Sequence, residues 1–365
     1  MERKNAWAAY AGDDGRVEAF AKAYCDFINN GKTERECVAY GEKLAKAHGF
    51  EDLNAVVRSG RKLEAGARVY ANWMGKSFML FVLGEKPLEE GMNILGAHID
   101  SPRIDVKQNP LYEDTDLAYL DTHYYGGIKK YQWVAIPLAL HGVIVRKTGE
   151  KVIINIGEDE NDPVFCISDL LVHLAQEQMT KNAKEVVEGE ALNLIVGGRP
   201  LEGEEKDAVK ANVLKLLADK YGVEEEDFLS AELEIVPAGK ARDMGFDRSM
   251  ILAYGHDDRV CAYPSMMAVL DYEGTPEYTL CCIVTDKEEI GSVGATGMAS
   301  HYLENTVAEL YACTADYCEL AVRRCLRNSR MLSSDVSAGY DPNFASAFEK
   351  KNSAFLGRGI CFNKF

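Results

Sequence analysis

Nowhere does this sequence offer the roughly eighteen uninterrupted apolar residues that a membrane helix needs. Its N-terminus, Met-Glu-Arg-Lys-Asn-Ala-Trp, is charged and carries no apolar signal core. Ten cysteines occur, yet none forms a Cys-x-x-Cys pair, and Cys281 and Cys282 sit inside an apolar strand-like run. That usage points to buried reduced thiols in a cytoplasmic protein rather than to disulfides or a zinc knuckle. Positive charge is short: 41 Lys plus Arg against 58 Asp plus Glu leave a net charge of -17. Such a surface repels nucleic acid and anionic membranes and gives solubility without naming a partner. Gly-x-Ser-x-Gly and His-Glu-x-x-His are both missing, so serine-hydrolase and single-zinc protease readings lack support. The Gly-Ser-Val-Gly-Ala-Thr-Gly run at 291–297 fits neither the dinucleotide fingerprint nor a phosphate loop. Histidine is scarce: seven residues, at 48, 98, 123, 141, 173, 256 and 301.

What is present reads as an α/β protein. A length of 365 residues supports one to three domains. Apolar spacing of three and four predicts a helix over 15–31 and a second over Thr33–Ala47. Strand-like runs follow at 67–73, 77–83 and 93–98. Residues 108–240 change character, with predicted strands at 134–145, 151–156 and 232–236 and predicted helices at 167–180 and up to Tyr221. After Asp243 the pattern of apolar strand, acidic turn and helix returns, with strands at 250–254 and 278–284 and a helix over 315–328. The expected organisation is an α/β domain built from 1–107 and 241–365, interrupted by an inserted domain at 108–240, a size that domains commonly have.

Three segments carry the chemistry. Gly-Ala-His-Ile-Asp-Ser-Pro (96–102), Gly-His-Asp-Asp-Arg-Val (255–260) and Thr-Asp-Lys-Glu-Glu-Ile-Gly-Ser (285–292) each follow an apolar run. Open α/β sheets bind ligands beyond the carboxyl ends of their strands, where all three would lie. His98 could ligate a metal with Asp100 holding its second nitrogen. Asp257 could bridge two ions, leaving Asp258 to support a ligand from behind or to shape the backbone. Of Glu288 and Glu289, one could bind metal while the other takes a proton from water. Each segment alone has a plainer reading: an ordinary histidine, a solvated turn, a helix N-terminus that favours acids. Three together make the plainer reading the weaker one.

With these residues in place, the chain closely resembles the aspartyl aminopeptidase family, cytosolic two-metal exopeptidases. The matching segments are 96–102, Thr-His-Tyr-Tyr-Gly-Gly-Ile (122–128), His-Asp-Asp-Arg-Val (256–260), Asp-Lys-Glu-Glu-Ile-Gly-Ser (286–292) and Ser-Ser-Asp-Val-Ser-Ala-Gly-Tyr-Asp-Pro-Asn (333–343). The bacterial branch is the nearer one. The resemblance implies a mixed-sheet α/β/α metallopeptidase domain with an inserted β-rich dimerisation domain. It implies two divalent ions, zinc with cobalt or manganese as alternatives, with His98 and Asp335 on one, Glu289 on the other and Asp257 bridging. Glu288 would be the general base, Asp100 would orient His98, and peptides would be the substrates. Subunits would pair through the inserted domain and build dodecamers, and His123 with the Gly126-Gly127 loop would reach a neighbour's site.

Two departures stand out. Family members carry a further His ligand near the C-terminus, and no His follows Asp335 here. The expectation is a chain incomplete at its C-terminus; the alternatives are a non-catalytic relative serving only as an assembly subunit, or a ligand from a neighbour or from His256. Asp341 stands where many relatives have His, and a carboxylate facing the pocket would repel an acidic substrate side chain.

Overall fold

The computed structural model describes residues 4–364. Its first sheet has six strands in the order Glu51–Asp52, Arg68–Trp73, Ser77–Val82, Thr279–Thr285, Met92–His98, Arg330–Ser333. The sheet is mixed. The 279–285 strand runs antiparallel to 77–82 and parallel to 92–98, which is in turn parallel to 330–333. The run Ser-Phe-Met-Leu-Phe-Val is buried throughout, as a strand covered on both faces must be. Its side chains alternate between two cores. Met79 and Phe81 join Ile94 and Ile283 under the helices Leu53–Ser59, Tyr302–Thr314 and Glu319–Asn328. Phe78, Leu80 and Val82 join Cys282 and Val284 under Asp14–Asn30, Glu34–Ala47 and His256–Leu270. The result is the expected α/β/α sandwich. Thr33 and Glu36 form a capping box that starts the 34–47 helix where the sequence places it.

The second sheet is antiparallel throughout, in the order Lys151–Ile156, Leu138–Val145, Glu232–Pro237, Arg103–Asp114, Leu117–Tyr125, Leu194–Gly197. Only residues 99–102 separate its first strand from His98. Ile104, Leu138, Leu194 and Ile235 lie in its core, packed with Val209 of the helix Ala208–Tyr221.

Charged side chains knit the two sheets together. Glu34 is fully buried at the start of the 34–47 helix, with Lys76 Nζ 2.7 Å and Arg103 Nη1 3.3 Å from its carboxylate. Arg103 also pairs with Asp105 at 2.7 Å and Glu234 at 3.2 Å, and Lys76 with Glu232. Nearby, His141 places Nδ1 2.8 Å from Glu36 and Nε2 3.2 Å from Glu158, which also takes Lys32 at 2.7 Å.

Three expected elements differ. Residues 167–180 are irregular apart from a 3-10 turn at Gln178–Thr180. The preceding backbone is drawn into the sheet, with Phe165 bridging Leu138 and Cys166 bridging Ile195. Asp169 then accepts from Leu170 N and from the Gln178 side chain, a local alternative to helix. The helix predicted over 315–328 begins at Glu319, and a separate helix, Tyr302–Thr314, precedes it. Its polar Asn305 and Thr306 interrupt the apolar pattern, although Thr306 is buried. The strand predicted from 134 starts at Leu138, after Ala135 at φ 57° and Pro137. Among the described residues no helix is long and apolar enough to cross a membrane.

Candidate active site

Three neighbouring parallel strands end at one place. His98 closes the 92–98 strand opposite Thr285, and Ser333 closes 330–333 opposite Gly96. The chain beyond Thr285 turns through Lys287, at φ 72°, into a short 3-10 turn Glu288–Ile290. Beyond Ser333 it reaches Asp335. The N-terminus of the 256–270 helix adds Asp257 and Asp258, joined by a cis peptide bond.

The side chains converge on His98, which is 3% exposed. Its Nε2 lies 3.2 Å from Asp257 Oδ1, 3.7 Å from Glu288 Oε2 and 3.8 Å from Asp335 Oδ1. Two trios bring their donor atoms within 4.8 Å of one another: His98 with Asp258 and Asp335, and His98 with Asp257 and Glu289. Burial alone would lower the His98 pKa, but Asp100 and Asp257 outweigh it and push it up to about 11. Burial, reinforced by Asp257, lifts Glu289 to about 7. Burial, reinforced by Asp335, lifts Asp258 to about 7.

Asp100 lies beneath this cluster and is fully buried. Its Oδ1 is 3.3 Å from His98 Nδ1 and accepts from Glu288 N at 3.2 Å. Its Oδ2 accepts from Glu289 N at 3.2 Å and from the Tyr125 hydroxyl at 2.7 Å. Burial pushes Asp100 up, yet the bonds from His98 and Tyr125 prevail and hold it below the usual carboxylate range. Gly126, at φ 72°, follows directly, and a Cβ there would stand 3.2 Å from Glu289 Cβ. Beside Asp257 opens a groove of about 490 Å³ lined by Ser101, Pro102, Ile128, Trp133, Tyr254 and His256, among others.

The structure thus gathers His98, Asp100, Asp257, Glu288, Glu289 and Asp335. It does not gather the rest. His123 is exposed, with Nδ1 3.2 Å from the Tyr124 carbonyl. Asp341 caps the turn Pro342–Ala347, accepting from Asn343 N at 2.8 Å. His256 has both nitrogens engaged, Nδ1 with the Tyr24 hydroxyl at 2.8 Å and Nε2 with the Ile251 carbonyl at 3.1 Å, so it offers nothing to the cluster. Sequence reasoning gave Asp258 the role of supporting a ligand or shaping the backbone, whereas its carboxylate lies inside the cluster. Tyr125 went unremarked beside His123, although both belong to one short motif.

The donor set fits a divalent cation. Four buried polar atoms in this one place, His98 Nε2, both Asp258 carboxylate oxygens and Glu289 Oε1, have no hydrogen-bond partner of acceptable geometry. Buried polar atoms are rarely left so, and an imidazole among carboxylates is a zinc-type ligand set.

Comparison with known proteins agrees. The profile of the family described as aminopeptidase I zinc metalloprotease (M18) matches residues 27–364. A probable M18 family aminopeptidase 1 of Clostridium acetobutylicum is 56% identical over 100% of this chain and 78% of its own length. The crystal structure of an M18 family aminopeptidase from Thermotoga maritima superposes with a TM-score of 0.91 at 42% identity, over 98% of this chain and 78% of that one. The crystal structure of aminopeptidase I from Clostridium acetobutylicum gives 0.89 at 53% identity, over 98% and 78%.

Proposed function

The chain belongs to the M18 family of zinc metalloprotease aminopeptidases, and from that premise we propose that it removes N-terminal residues from peptides at a two-ion centre around His98. In this reading His98 and Asp335 hold one ion, Glu289 holds the second, and Asp257 serves both. Asp258 lies close enough to the first group to add a ligand. Zinc is the favoured metal, with cobalt or manganese as alternatives. The observation that carries the reading is the set of four partnerless polar atoms buried where parallel strands end against the N-terminus of the 256–270 helix.

Bound there, the metal supplies Lewis acidity for polarising a peptide carbonyl and acidifying water. The protein does the rest. Glu288, with its side chain 47% exposed and 3.7 Å from His98 Nε2, is free to take a proton from the attacking water and return it to the leaving amine. Asp100 holds His98 Nδ1 and so fixes Nε2 toward the cluster. The groove beside Asp257 offers room for the substrate's terminal side chain.

Pairing of subunits through residues 108–240, building to a dodecamer, completes the proposal. Its support is the exposed apolar set Ile153, Leu171, Val172, Leu174 and Met179 on that part of the chain, a kind of surface that marks protein contacts. No observation favours a purely structural role.

The test is Glu288→Gln. Zinc binding should persist while aminopeptidase turnover falls by at least about a hundredfold, the lower range for a general base. Turnover that survives the substitution would remove Glu288 from the proposed role.

A further inference from the structure

We propose that Tyr125, a residue of the second sheet, is a positioning residue for the metal cluster of the first, acting through Asp100. The inference rests on the cluster being a metal site, as argued above.

Tyr125 is the last residue of the 117–125 strand and pairs with Arg103 in register. Its side chain is buried, and its hydroxyl makes the shortest contact that Asp100 receives, 2.7 Å to Oδ2. Among the described residues, the other contacts to that carboxylate belong to the site itself: the amides of Glu288 and Glu289 donate at 3.2 Å each, and His98 Nδ1 lies 3.3 Å from Oδ1 and 3.1 Å from the Asp100 main-chain carbonyl. Asp100 therefore sets the imidazole through its carbonyl and its carboxylate, and the carboxylate sets the backbone of both glutamates. A carboxylate turns about a single bond, so its plane must be held from outside the cluster. Among the described residues, Tyr125 is the one donor that comes from the second sheet.

The phenol is itself clamped. The Arg103 guanidinium lies 3.9 Å from the ring centroid and Lys287 Nζ lies 5.2 Å from it, cation–π contacts that resist ring displacement. Arg103 is anchored in turn by Glu34, Asp105 and Glu234. A rigid path thus runs from the charged seam between the sheets to His98. Residues that orient a ligating histidine typically contribute about 10- to 100-fold to metal affinity or activity. Tyr125 acts one step further out, so the lower end is expected.

Tyr125→Phe keeps the ring and both cations and removes only the hydroxyl. In the 365-residue chain, zinc affinity is measured by competition with a chromogenic chelator. The kcat and KM on a short peptide are measured alongside, for wild type, Tyr125→Phe, Asp100→Asn and the double variant. The expected result for Tyr125→Phe is a loss of about tenfold in zinc affinity, a fall in kcat larger than any change in KM, and an unchanged unfolding midpoint without metal. The double variant should bind zinc no more weakly than Asp100→Asn alone, since residues acting through one another are not additive. Wild-type zinc affinity in Tyr125→Phe overturns the proposal, as do losses that multiply in the double variant. A wild-type protein that binds no zinc in the same titration overturns the metal reading and this inference with it.

Discussion

Glu34 and Glu234 are two buried carboxylates beside the same arginine, and replacing each by glutamine should have unequal consequences. Glu34 touches both Lys76 and Arg103 and lies in the first turn of a helix, where the dipole also favours an anion. Burial pushes its pKa up, but Arg103 and Lys76 overwhelm that and hold it far below the carboxylate range. Glu234 has Arg103 alone at 3.2 Å, and its Oε2 finds no hydrogen bond. Burial, with Glu34 and Asp105 adding their charge, drives it well above the ordinary value. Of the two, Glu34 is the more firmly ionised, and Glu234 keeps its proton to higher pH. Removing one partner of a buried ion pair costs about 3–5 kcal/mol. In Glu34→Gln, Glu234 remains 3.2 Å from Arg103 and, freed of the Glu34 charge that raises its pKa, takes over part of the pairing, which reduces the expected loss to about 2–3 kcal/mol. Unfolding entropy is roughly 2.1 cal/mol/K per residue, which for a chain of this length gives about 1.3 °C per kcal/mol. The expected fall in midpoint is roughly 3–4 °C. Glu234→Gln replaces the carboxyl whose charge burial already disfavours with a neutral group of equal volume and should shift the midpoint by less than about 1 °C, within the range of a benign substitution. Differential scanning calorimetry at pH 7 on both variants decides the matter. Equal losses, or a larger loss for Glu234→Gln, would refute the division of charge.

Three further outcomes are expected. His141 is buried between Glu36 and Glu158, which raise its pKa above the ordinary 6.5 against the lowering effect of burial; its stabilising contribution is complete below 6.5 and is lost as pH rises through the raised folded value. The gap in unfolding midpoint between wild type and His141→Gln should therefore narrow on going from pH 6 to alkaline pH, and a gap that widens would reverse the sign of the coupling. Asp258→Asn removes a carboxylate from the His98–Asp335 trio and should weaken zinc binding by at least about tenfold in a chelator titration, whereas a purely backbone-shaping Asp258 would leave affinity intact. Gly126→Ala places a Cβ 3.2 Å from Glu289 Cβ at φ 72°; a left-handed residue other than glycine costs about 1–2 kcal/mol, so thermal unfolding should show the loss together with reduced turnover.

The site was legible in the sequence because its members end strands. His98 and Glu289 each follow an apolar run, and strand ends are where open α/β sheets gather function; Asp335, preceded only by Met331 and Leu332 among polar residues, was reached through the family resemblance of the 333–343 segment. Asp100 was legible for the same reason, standing two residues beyond His98. Asp258 was not, because in a two-acid turn the sequence does not tell which carboxylate points inward. Tyr125 was hidden differently: it belongs to another sheet, and the pairing Arg103↔Tyr125 that delivers it to Asp100 is a tertiary fact. The 77–82 and 92–98 strands were readable from their apolar runs. The 167–180 segment misled because its apolar residues, Leu170, Leu171, Val172 and Leu174, look like a helix face yet stand exposed.

The place of the 279–285 strand has a consequence for how the chain matures. It lies between 77–82 and 92–98, which hydrogen-bond to it and not to each other. On a growing chain the first sheet therefore stays split until the ribosome has passed Thr285. The second sheet draws only on residues 103–237, so it is complete much sooner, and domains commonly fold as units during synthesis. His98 and Asp100 are made early and then wait, tethered to a finished neighbour that already holds Tyr125. The cluster is then gathered in stages: the late strand brings Glu288 and Glu289 to an Asp100 nearly two hundred residues older, and Asp335 follows only with the 330–333 strand.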